Sequence, residues 1–418
     1  MIGKKLCVCV PTYNNSENID RYISEQMEMF TKYDVDLHIY DSSEDIYTES
    51  VICDYNSKIS VPIYYHKMDS CIPSNIKVYE IFREMEKSVY EYVWMIHDHT
   101  VCTENALMYL LDVIGNKDDF YVLNMQADRE NVESYKSLDE FLIRAAWRLN
   151  SFGASVIRTD TFLKGVDWER ISDKYNDRIT LNYSHIGFYF ERASEVENLK
   201  VCEIYFNRKD FVDFKRGQSI NWSKDTIRIC MECWGNVITR LPNVYQKKNE
   251  ALLTQDRWFM SKYSLISYKK NGAYGWRYFL KYKKWIKKMY PKDYIRDFLI
   301  AILPHKMSLS IFTKDINERI KCIQKKNGGI YIYGAGRHAI ECGQFLDECG
   351  INFQTYVVTD SKGNPQNIGA HKVEQINANI FSRPALIIIA VLTSGVDGVN
   401  KVLSEYRNEN TEIIVFGE

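Results

Sequence analysis

The sequence is poor in proline, in long apolar runs and in net charge. It has 8 prolines in 418 residues and no low-complexity tract, which favours compact domains over long linkers. The best candidate for a membrane span, DFLIAIL, is far shorter than the ~18 residues that cross a bilayer, so we expect no integral membrane protein. MIGKK leads directly into the strand-like LCVCV, so we expect no signal peptide and a cytoplasmic location, free or peripheral to the inner face of a membrane.

The near-absence of net charge also excludes some functions. The chain has 54 basic and 55 acidic residues and a formal net charge of -1, so any binding of nucleic acid or of an acidic surface must come from a local patch. At 418 residues with 45% hydrophobic content, the chain is long enough for two or three globular domains.

The cysteines show no repeated spacing. Their number, 11, is odd, and Cys7, Cys9 and Cys102 lie in apolar runs, which favours reduced thiols over a disulfide framework. Cys230 and Cys233 have CxxC spacing, but no second pair follows and the surrounding RICMECW is typical of a helix. We therefore interpret this pair as packing residues rather than as a zinc or redox site.

The chain divides into three regions that differ in sequence pattern and composition. Residues 1–245 alternate strand-like runs (LCVCV, DLHIYD, VPIYYH, YVWMIHD, FYVLNM) with helical patterns such as IDRYISEQMEMF, which indicates a mostly parallel sheet covered on both faces. Residues 246–325 predict a basic, aromatic helical connector, and residues 326–418 restart a βαβ pattern. In such sheets ligands bind beyond the carboxyl ends of the strands, where PTYNN, DSSED and HDHT follow the first, second and fourth runs.

Two of these strand ends carry a resemblance to a known family. In CVCVPTYNNSENIDRYISEQ, a proline ends a buried strand and a loop precedes a helix, and the segment matches P-x-Y-N. About thirty residues later, IYDSSED matches D-x-S-x-D at Asp41, Ser43 and Asp45. Together the motifs resemble the family-2 glycosyltransferases of the GT-A fold over roughly residues 5–245.

The resemblance implies an α/β nucleotide-diphospho-sugar transferase domain whose first two loops hold the donor. Pro11 and Tyr13 would flank the nucleotide base, and the Asp41 carboxylate would hydrogen-bond the uracil or the ribose. Asn14 and Ser43, in the same two loops, are further donor-binding candidates.

A further donor contact is predicted in CIPSNIKVYE, which offers Asn75 and Lys77. The alternative is a helix N-terminus that happens to carry one exposed lysine.

The triplet His97-Asp98-His99 ends the fourth strand-like run. Members of the family carry Asp-x-Asp here, which holds a divalent cation against the donor diphosphate and so neutralises the departing group. In this sequence only Asp98 is acidic, so either His99 replaces a metal-binding carboxylate or positive groups take over part of the role. We expect Mn²⁺ or Mg²⁺ at Asp98 and His99, with His97 on the donor side; the alternative is a solvated turn.

The family places a general base near the start of a helix that faces the acceptor. The corresponding stretch, LNYSHIGFYFERASE, has no acidic pair, and His185 takes the place of the second acid, followed by Glu191. An imidazole can accept a hydroxyl proton near neutral pH, although a buried structural histidine is the alternative reading. Asp177 is a further candidate.

RGQSINW resembles the Q-x-x-R-W signature of family members that build long polymers. Gln218 and Trp222 match it, while Asn221 stands where those members have arginine, which argues against a processive polymerase. We predict Gln218 and Trp222 on the acceptor side; packing of the tryptophan in the core is the alternative.

The connector contains an amphipathic helix. Lysines occupy one side of the helical wheel over Lys281–Lys288, and Phe279, Tyr282, Trp285, Ile286 and Met289 occupy the other. The pattern predicts either contact with an anionic membrane surface or packing of the apolar side on another domain, and the two are compatible. No RNA-binding signature is present, and we expect no nucleic-acid partner.

The last region carries a glycine motif. GIYIYGAGRHA matches G-x-G-x-x-A at Gly334, Gly336 and Ala339, and Asp360 ends the next strand where an acid can bind a ribose hydroxyl. The region resembles the small Rossmann-like domains appended to bacterial surface-polysaccharide enzymes, and it predicts either a second nucleotide site or a docking or oligomerising module. It is too short for a complete NAD(P)-dependent oxidoreductase, which we weigh only as a third possibility.

The sequence therefore predicts an inverting glycosyltransferase. It would move a hexose or N-acetylhexosamine from a nucleotide-diphosphate donor, with UDP as the expected nucleotide, to a hydroxyl of a bacterial cell-surface glycan or lipid-linked acceptor. The alternative is a degenerate, non-catalytic nucleotide-sugar-binding or scaffold protein of glycan assembly.

Overall fold

The computed structural model describes residues 5–59, 61–127, 130–214, 225–361, 364–391 and 395–417. The chain divides into two compact units, one formed by Met1–Ile220 with Glu232–Gln255 and the other by Asn221–Met231 with Asp256–Glu418.

The first unit is built on a mixed sheet. Its strands are β1 (Leu6–Thr12), β2 (Val35–Asp41), β3 (Tyr64–Lys67), β4 (Tyr92–Met95), β5 (Thr100–Cys102), β6 (Phe120–Ala127), β7 (Asn131–Ser134), β8 (Ser155–Arg158), β9 (Val201–Asn207) and β10 (Phe211–Asp213). Eight of them form a sheet in the order β3-β2-β1-β4-β8-β6-β9-β7, and β10 pairs with β5. Strands β3, β2, β1 and β4 are parallel, whereas β8 runs antiparallel to its neighbours β4 and β6.

The apolar runs in the sequence explain these strands. Strand β2 is buried along its whole length and β1 at all but one position, as expected for parallel strands that are covered on both faces. The register pairs Thr12 with Asp41 and Cys9 with Met95, so β1, β2 and β4 end at the same edge of the sheet. The polar motifs that follow these strands are thereby brought together.

Helices flank the sheet. They are α1 (Ser16–Lys32), α2 (Tyr47–Asn56), α3 (Ser74–Met85), α4 (Glu104–Val113), α5 (Leu138–Ala145), α6 (Trp168–Tyr175), α7 (Ser184–Ala193), α8 (Trp234–Arg240) and α9 (Lys248–Leu252). In α1, Ile19, Ile23 and Phe30 repeat at helical spacing and pack into the same hydrophobic core as β1 and β2.

The second unit begins with helices and ends with a smaller sheet. Its elements are α10 (Lys262–Lys270), α11 (Trp276–Met289), α12 (Tyr294–Ile302), α13 (His305–Phe312), α14 (Lys314–Lys325), β11 (Gly329–Tyr333), α15 (Arg337–Glu348), β12 (Thr355–Val358), β13 (Asn367–Ile368), β14 (His371–Gln375), β15 (Ala385–Ile389), α16 (Val396–Ser404) and β16 (Thr411–Val415). The sheet order is β13-β14-β12-β11-β15-β16, and apart from the β13–β14 hairpin all pairs are parallel.

The predicted fold class is confirmed. The first unit has the strand-and-helix alternation expected of a GT-A domain, the helices α10 to α14 follow, and the sheet around β11 is the Rossmann-like domain that the glycine motif predicts. Among the described residues, no helix is long and apolar enough to cross a membrane.

Candidate functional site

Asp98, just after β4, is the residue at which the strand-end loops meet. Its Oδ2 accepts hydrogen bonds from Thr12 Oγ1 at 2.8 Å and Asn15 Nδ2 at 2.9 Å, and its Oδ1 accepts one from His99 Nδ1 at 3.1 Å. Thr12 is the last residue of β1, and Asn15 directly precedes α1. The carboxylate therefore ties together the ends of two neighbouring parallel strands.

These contacts keep Asp98 ionised. Burial by itself raises the pKa of Asp98, but the hydrogen bonds from His99, Asn15 and Thr12 outweigh it, so the pKa lies below its usual range. The side chain of Asp98 is 14% exposed. The edge of the sheet thus carries a fixed negative charge that a ligand or a cation can still reach.

Lys77, in the first turns of α3, is a buried cation between the first two loops. It is 4% exposed, and its Nζ donates to the Thr12 carbonyl oxygen at 2.7 Å and to Ser42 Oγ. Burial lowers the pKa of Lys77 to about 8, while attraction to Asp41 and Asp98 acts in the opposite direction. Lys77 therefore supplies positive charge near both carboxylates and joins the loop after β1 to the loop after β2.

Asp41, at the end of β2, is completely buried. Its Oδ1 accepts hydrogen bonds from the backbone N–H and the Oγ of Ser43, and its Oδ2 accepts one from Tyr65 at 3.0 Å, with Lys67 Nζ at 3.5 Å. These partners occupy both oxygens, so the structure places Asp41 as the support of the Ser43 loop.

The loop after β1 presents an aromatic ring to solvent. Tyr13 is 50% exposed. Asn14 holds the loop in place, because it adopts a left-handed backbone conformation (φ 48°), donates its N–H to Ser43 Oγ at 2.8 Å and accepts from the Glu44 N–H at 3.2 Å. Pro11 is half-buried within β1. An exposed ring beside a fixed loop is suited to stacking on a nucleotide base.

The two histidines that flank Asp98 have different surroundings. Their rings stack with centroids 4.8 Å apart, and His97 also lies 5.5 Å from the ring of Phe152, with its Nε2 3.4 Å from Ser151 Oγ. His99 is buried against Asp98. His97 is half-buried and contacts residues of the turn before β8.

His185, the predicted base, lies in the core of the first unit. It is 1% exposed, its ring is 5.0 Å from that of Phe152, and burial lowers its pKa to about 4. Phe152 contacts both His97 and His185. The imidazole is therefore neutral at physiological pH, and its ring and that of His97 both lie against Phe152.

Glu191 is held in an ion-pair network. It accepts hydrogen bonds from Arg170 at 2.6 Å, Lys174 at 2.7 Å and Tyr175 at 2.7 Å. Burial raises its pKa, but these donors outweigh it and the pKa is lowered. A carboxylate with three donors and a lowered pKa is a weak proton acceptor, and the contacts explain Glu191 as a support between α6 and α7. Asp177 is ion-paired with Arg240 at 2.7 Å.

Asn75 is buried on α3 and donates its side-chain N–H to Asn176 Oδ1 at 3.2 Å. Gln218 and Trp222, the predicted acceptor-side residues, lie outside the described residues.

The side chains at Asp98 meet only part of the needs of a divalent cation. No cluster of three or more histidine, cysteine or acidic side chains that could hold a metal occurs within the described ranges of the chain. Mg²⁺, however, is often held by one or two carboxylates together with substrate phosphates, and Asp98, beside His99, could supply one such carboxylate. The residues fit a cation that binds with a diphosphate, not a metal centre built from protein side chains alone.

The second predicted nucleotide site lies at the carboxyl edge of the smaller sheet. Gly334 has φ 124°, and a Cβ there would come within 2.8 Å of the Ala390 carbonyl oxygen, so close packing of the turn against the end of β15 explains the glycine. Gly336 directly precedes α15, and Asp360 follows β12.

Sequence reasoning missed several residues that hold the site together. They are Thr12, Asn15, Ser42, Tyr65 and Lys67. Three of them lie inside or beside the recognised motifs, but their role depends on partners as far as 86 residues away in the chain. Such contacts become visible only when the sheet register is known.

No protein-family model matches the chain, and no curated protein matches it. Solved structures with a similar fold include a 1–349 fragment of S. aureus TarS in complex with UDP-GlcNAc. It is 12% identical, covers 74% of this chain and 92% of its own, and gives a TM-score of 0.47.

Two other structures are similar at the same level. Glucosyl-3-phosphoglycerate synthase from Mycobacterium tuberculosis, in complex with Mn²⁺, UDP and glucosyl-3-phosphoglycerate, is 12% identical over 58% of this chain and 82% of its own, with a TM-score of 0.37. The mannosyltransferase PcManGT from Pyrobaculum calidifontis, in complex with GDP-Man and Mn²⁺, is 11% identical over 75% and 88%, with a TM-score of 0.38. At these identities the likeness concerns the fold.

Proposed function

We propose that the protein is a glycosyltransferase that uses a nucleotide-diphosphate sugar, with UDP as the expected nucleotide. The observation that carries the proposal is that the loops after β1 and β4 meet at Asp98, while the buried cation Lys77 joins the loop after β1 to the loop after β2. A nucleotide diphosphate needs a surface for its base and compensation for its charge. Tyr13 offers a surface for the base, and Lys77 together with a cation held at Asp98 would offset the charge of the diphosphate.

In this proposal each donor-side residue has a distinct task. The exposed ring of Tyr13 stacks on the base, next to Pro11 and Asn14. Asp41 acts through Ser43, whose loop it holds, because its own side chain is completely buried.

On the diphosphate side, Asp98 and His99 would hold a divalent cation, Mn²⁺ or Mg²⁺, with His97 next to them. When bound, that cation supplies the positive charge that a departing nucleoside diphosphate requires. Asn75 contributes through its contact with Asn176, which fixes the start of α3.

The acceptor side of the proposal rests on the sequence. We propose inversion, with a hexose or N-acetylhexosamine passing to a hydroxyl of a bacterial cell-surface glycan or lipid-linked acceptor, Gln218 and Trp222 on the acceptor side, and His185 as the base. The buried imidazole is neutral and can accept a proton, but a pKa of about 4 makes it a weak acceptor. Because His185 is buried beside Phe152, an acceptor hydroxyl reaches it only if the side chains around it move, so rate measurements on His185→Gln and Phe152→Ala test this role directly.

A non-catalytic nucleotide-sugar-binding or scaffold protein is the second candidate function. It is favoured by the single carboxylate at the His97–His99 triplet and by the burial of His185 and Glu191, because such a site can bind a donor without activating an acceptor.

Calorimetric titration with UDP and a panel of UDP-sugars, with and without Mn²⁺, tests the proposal. We expect binding that Mn²⁺ strengthens in the wild type and that Asp98→Ala weakens at least about tenfold. Asp177→Ala, which removes an acidic residue paired with Arg240, is the matched control. Absence of binding to any nucleotide sugar would refute the donor site. Binding without hydrolysis or transfer to any acceptor would favour the non-catalytic alternative.

A further inference from the structure

Helix α12 of the second unit presents an apolar face to solvent. Ile295, Phe298, Leu299 and Ile302 are spaced i, i+3, i+4 and i+7, so they lie on one side of the helix. They are exposed by 72%, 38%, 36% and 47% respectively. The opposite side is buried and includes Asp297, Ile300 and Ala301. A helix normally turns its polar residues outward, and this one exposes a stripe without a single charge.

The neighbouring helices extend this surface. Helices α11 and α13 both pack against α12, and the ring of Phe279 on α11 lies 5.2 Å from that of Phe298. On α13, Met307 and Ile311 are exposed by 48% and 52% at spacing i, i+4. At the start of α11, Trp276 and Leu280 are exposed by 55% and 49%. Eight exposed apolar side chains on three helices that pack together favour an interaction site.

Positive charge borders the apolar surface. Helix α11 buries Phe279, Tyr282, Ile286 and Met289, which leaves its lysines on the outer side. The exposed members are Lys281, Lys283, Lys284, Lys287 and Lys288. No acidic residue occurs between Arg257 and Lys292, so this charge is not balanced within the segment.

Charge and size together select the partner. With nine residues, α12 is about 14 Å long, which suits a helix lying along an interface rather than crossing it. Exposed apolar side chains beside a lysine-rich helix match the layered chemistry of a bilayer surface, where acyl chains lie beneath anionic headgroups. A second copy of the chain would bring another lysine-rich face to the same place, and the like charges would repel.

We propose that α11, α12 and α13 bind the surface of an anionic lipid bilayer. The apolar stripe of α12 enters the headgroup–acyl boundary, while the lysines of α11 contact the headgroups. The sequence already suggested that α11 could meet a membrane; the structure adds the inserting surface, which lies on α12 and α13. The inference concerns the second unit alone and does not depend on the proposed transferase activity.

Co-sedimentation of the whole protein with vesicles tests this inference. We expect binding to vesicles of phosphatidylcholine with about 30% phosphatidylglycerol, and little binding to pure phosphatidylcholine. The double variant Ile295→Ser/Leu299→Ser should lower the binding constant at least about tenfold. Both residues are exposed, so the fold should be retained, which thermal unfolding checks. Ile46→Ser/Val89→Ser, which removes two apolar residues of the first unit that are exposed by 67% and 73%, is the control.

The lysines are tested separately. Lys284→Gln/Lys288→Gln should weaken binding to the anionic vesicles about fivefold and reduce its sensitivity to salt, whereas Lys136→Gln/Lys209→Gln in the first unit should change neither.

Depth of insertion gives an independent readout. Brominated phosphatidylcholine in the same vesicles should quench tryptophan emission, and Trp276→Phe should remove part of that quenching. Failure of the wild type to bind the anionic vesicles would overturn the proposal, as would unchanged binding by the α12 variant. A dimer in sedimentation velocity that Ile295→Ser/Leu299→Ser dissociates, in a protein that does not bind vesicles, would instead make this surface an interface between copies.

Discussion

In both units the parallel strands end at one edge of the sheet, but the groups found at the two edges differ. At the first sheet the loops bring together buried charged groups, with Asp98 bound by three donors and Lys77 between two loops. At the second sheet the described loop after β11 presents a glycine turn packed against the Ala390 carbonyl oxygen. The shared topology provides a place for a ligand, and the side chains determine whether a ligand can be bound or converted there.

The two units also differ in the state of a buried carboxylate. Asp98 has three hydrogen-bond donors and a lowered pKa. Asp297 of α12 is completely buried, and its ion pair with Arg296 at 2.8 Å engages Oδ1, whereas Oδ2 has no hydrogen-bond partner within the described structure. Burial raises the pKa of Asp297 to about 7. Donors, not burial alone, determine which acid stays charged.

The largest effect should come from Asp98→Asn. The substitution keeps the size of the side chain but removes the charge that we propose faces the diphosphate, so sugar transfer should fall by about 10²–10³-fold. Initial rates with a UDP-sugar donor measure it, and Asp173→Asn, at an exposed position of α6, serves as the control. If Asp98→Asn retained full activity while the control behaved like the wild type, the first edge would be no more functional than the second.

Lys77→Met should weaken both binding and folding. The Thr12 carbonyl and Ser42 Oγ would lose their common donor, which we expect to cost the first unit about 1–3 kcal/mol of unfolding free energy. Donor affinity should fall at least about tenfold. Urea denaturation and calorimetry provide the two measurements, with the exposed Lys87→Met as the control. Equal stability of the two variants would contradict the role of Lys77 as a link between the loops.

Gly334→Ala should destabilise the second unit without changing donor binding at the first. The positive φ and the approach of a Cβ to the Ala390 carbonyl predict a cost of about 1–3 kcal/mol. Gly336→Ala is a matched control, because φ is -87° and a Cβ there meets nothing within 4 Å. Thermal unfolding distinguishes them. If the wild type bound a nucleotide and Gly336→Ala abolished that binding without a change in stability, the edge of the second sheet would be a ligand site as well.

The smallest effect concerns pH. The folded protein holds a proton on Asp297 up to about pH 7, whereas an unfolded aspartate loses it near pH 4, so the free energy of unfolding should fall as the pH rises between these values. Asp297→Asn should reduce that fall by about 1–2 kcal/mol. Urea denaturation at pH 5 and pH 8 tests this, with the exposed Asp347→Asn as the control. If Asp297→Asn kept the pH dependence of the wild type, the hydrogen bonds that Asp297 accepts would be sufficient to keep it ionised.

The sequence predicts the strands well where burial is continuous. LCVCV and DLHIYD are β1 and β2, and the polar motifs follow the strands as expected. The partners of those motifs could not be predicted, because Thr12 and Asn15 reach Asp98 only through the register of β1 with β4. Likewise, nothing local shows that Phe152 packs against His185 or that Arg170 and Lys174 bind Glu191.

The exposed face of α12 was missed for a related reason. An apolar run such as DFLIAIL normally indicates burial on all sides, and only the packing of α11 and α13 around it shows which side is left open. Patterns along a chain predict elements, whereas the surroundings of each face depend on the tertiary contacts.

The buried amine of Lys77 has a consequence for the heat of ligand binding. With a pKa of about 8, part of the population is uncharged in mildly alkaline solution. An anion placed beside it raises that pKa, so binding should draw a proton from the buffer. The apparent enthalpy of donor binding should then change with the ionisation enthalpy of the buffer, and affinity should decline as the pH rises through about 8. Lys77→Met should abolish both effects. The number of protons taken up on binding therefore shows whether a ligand lies at this edge of the sheet.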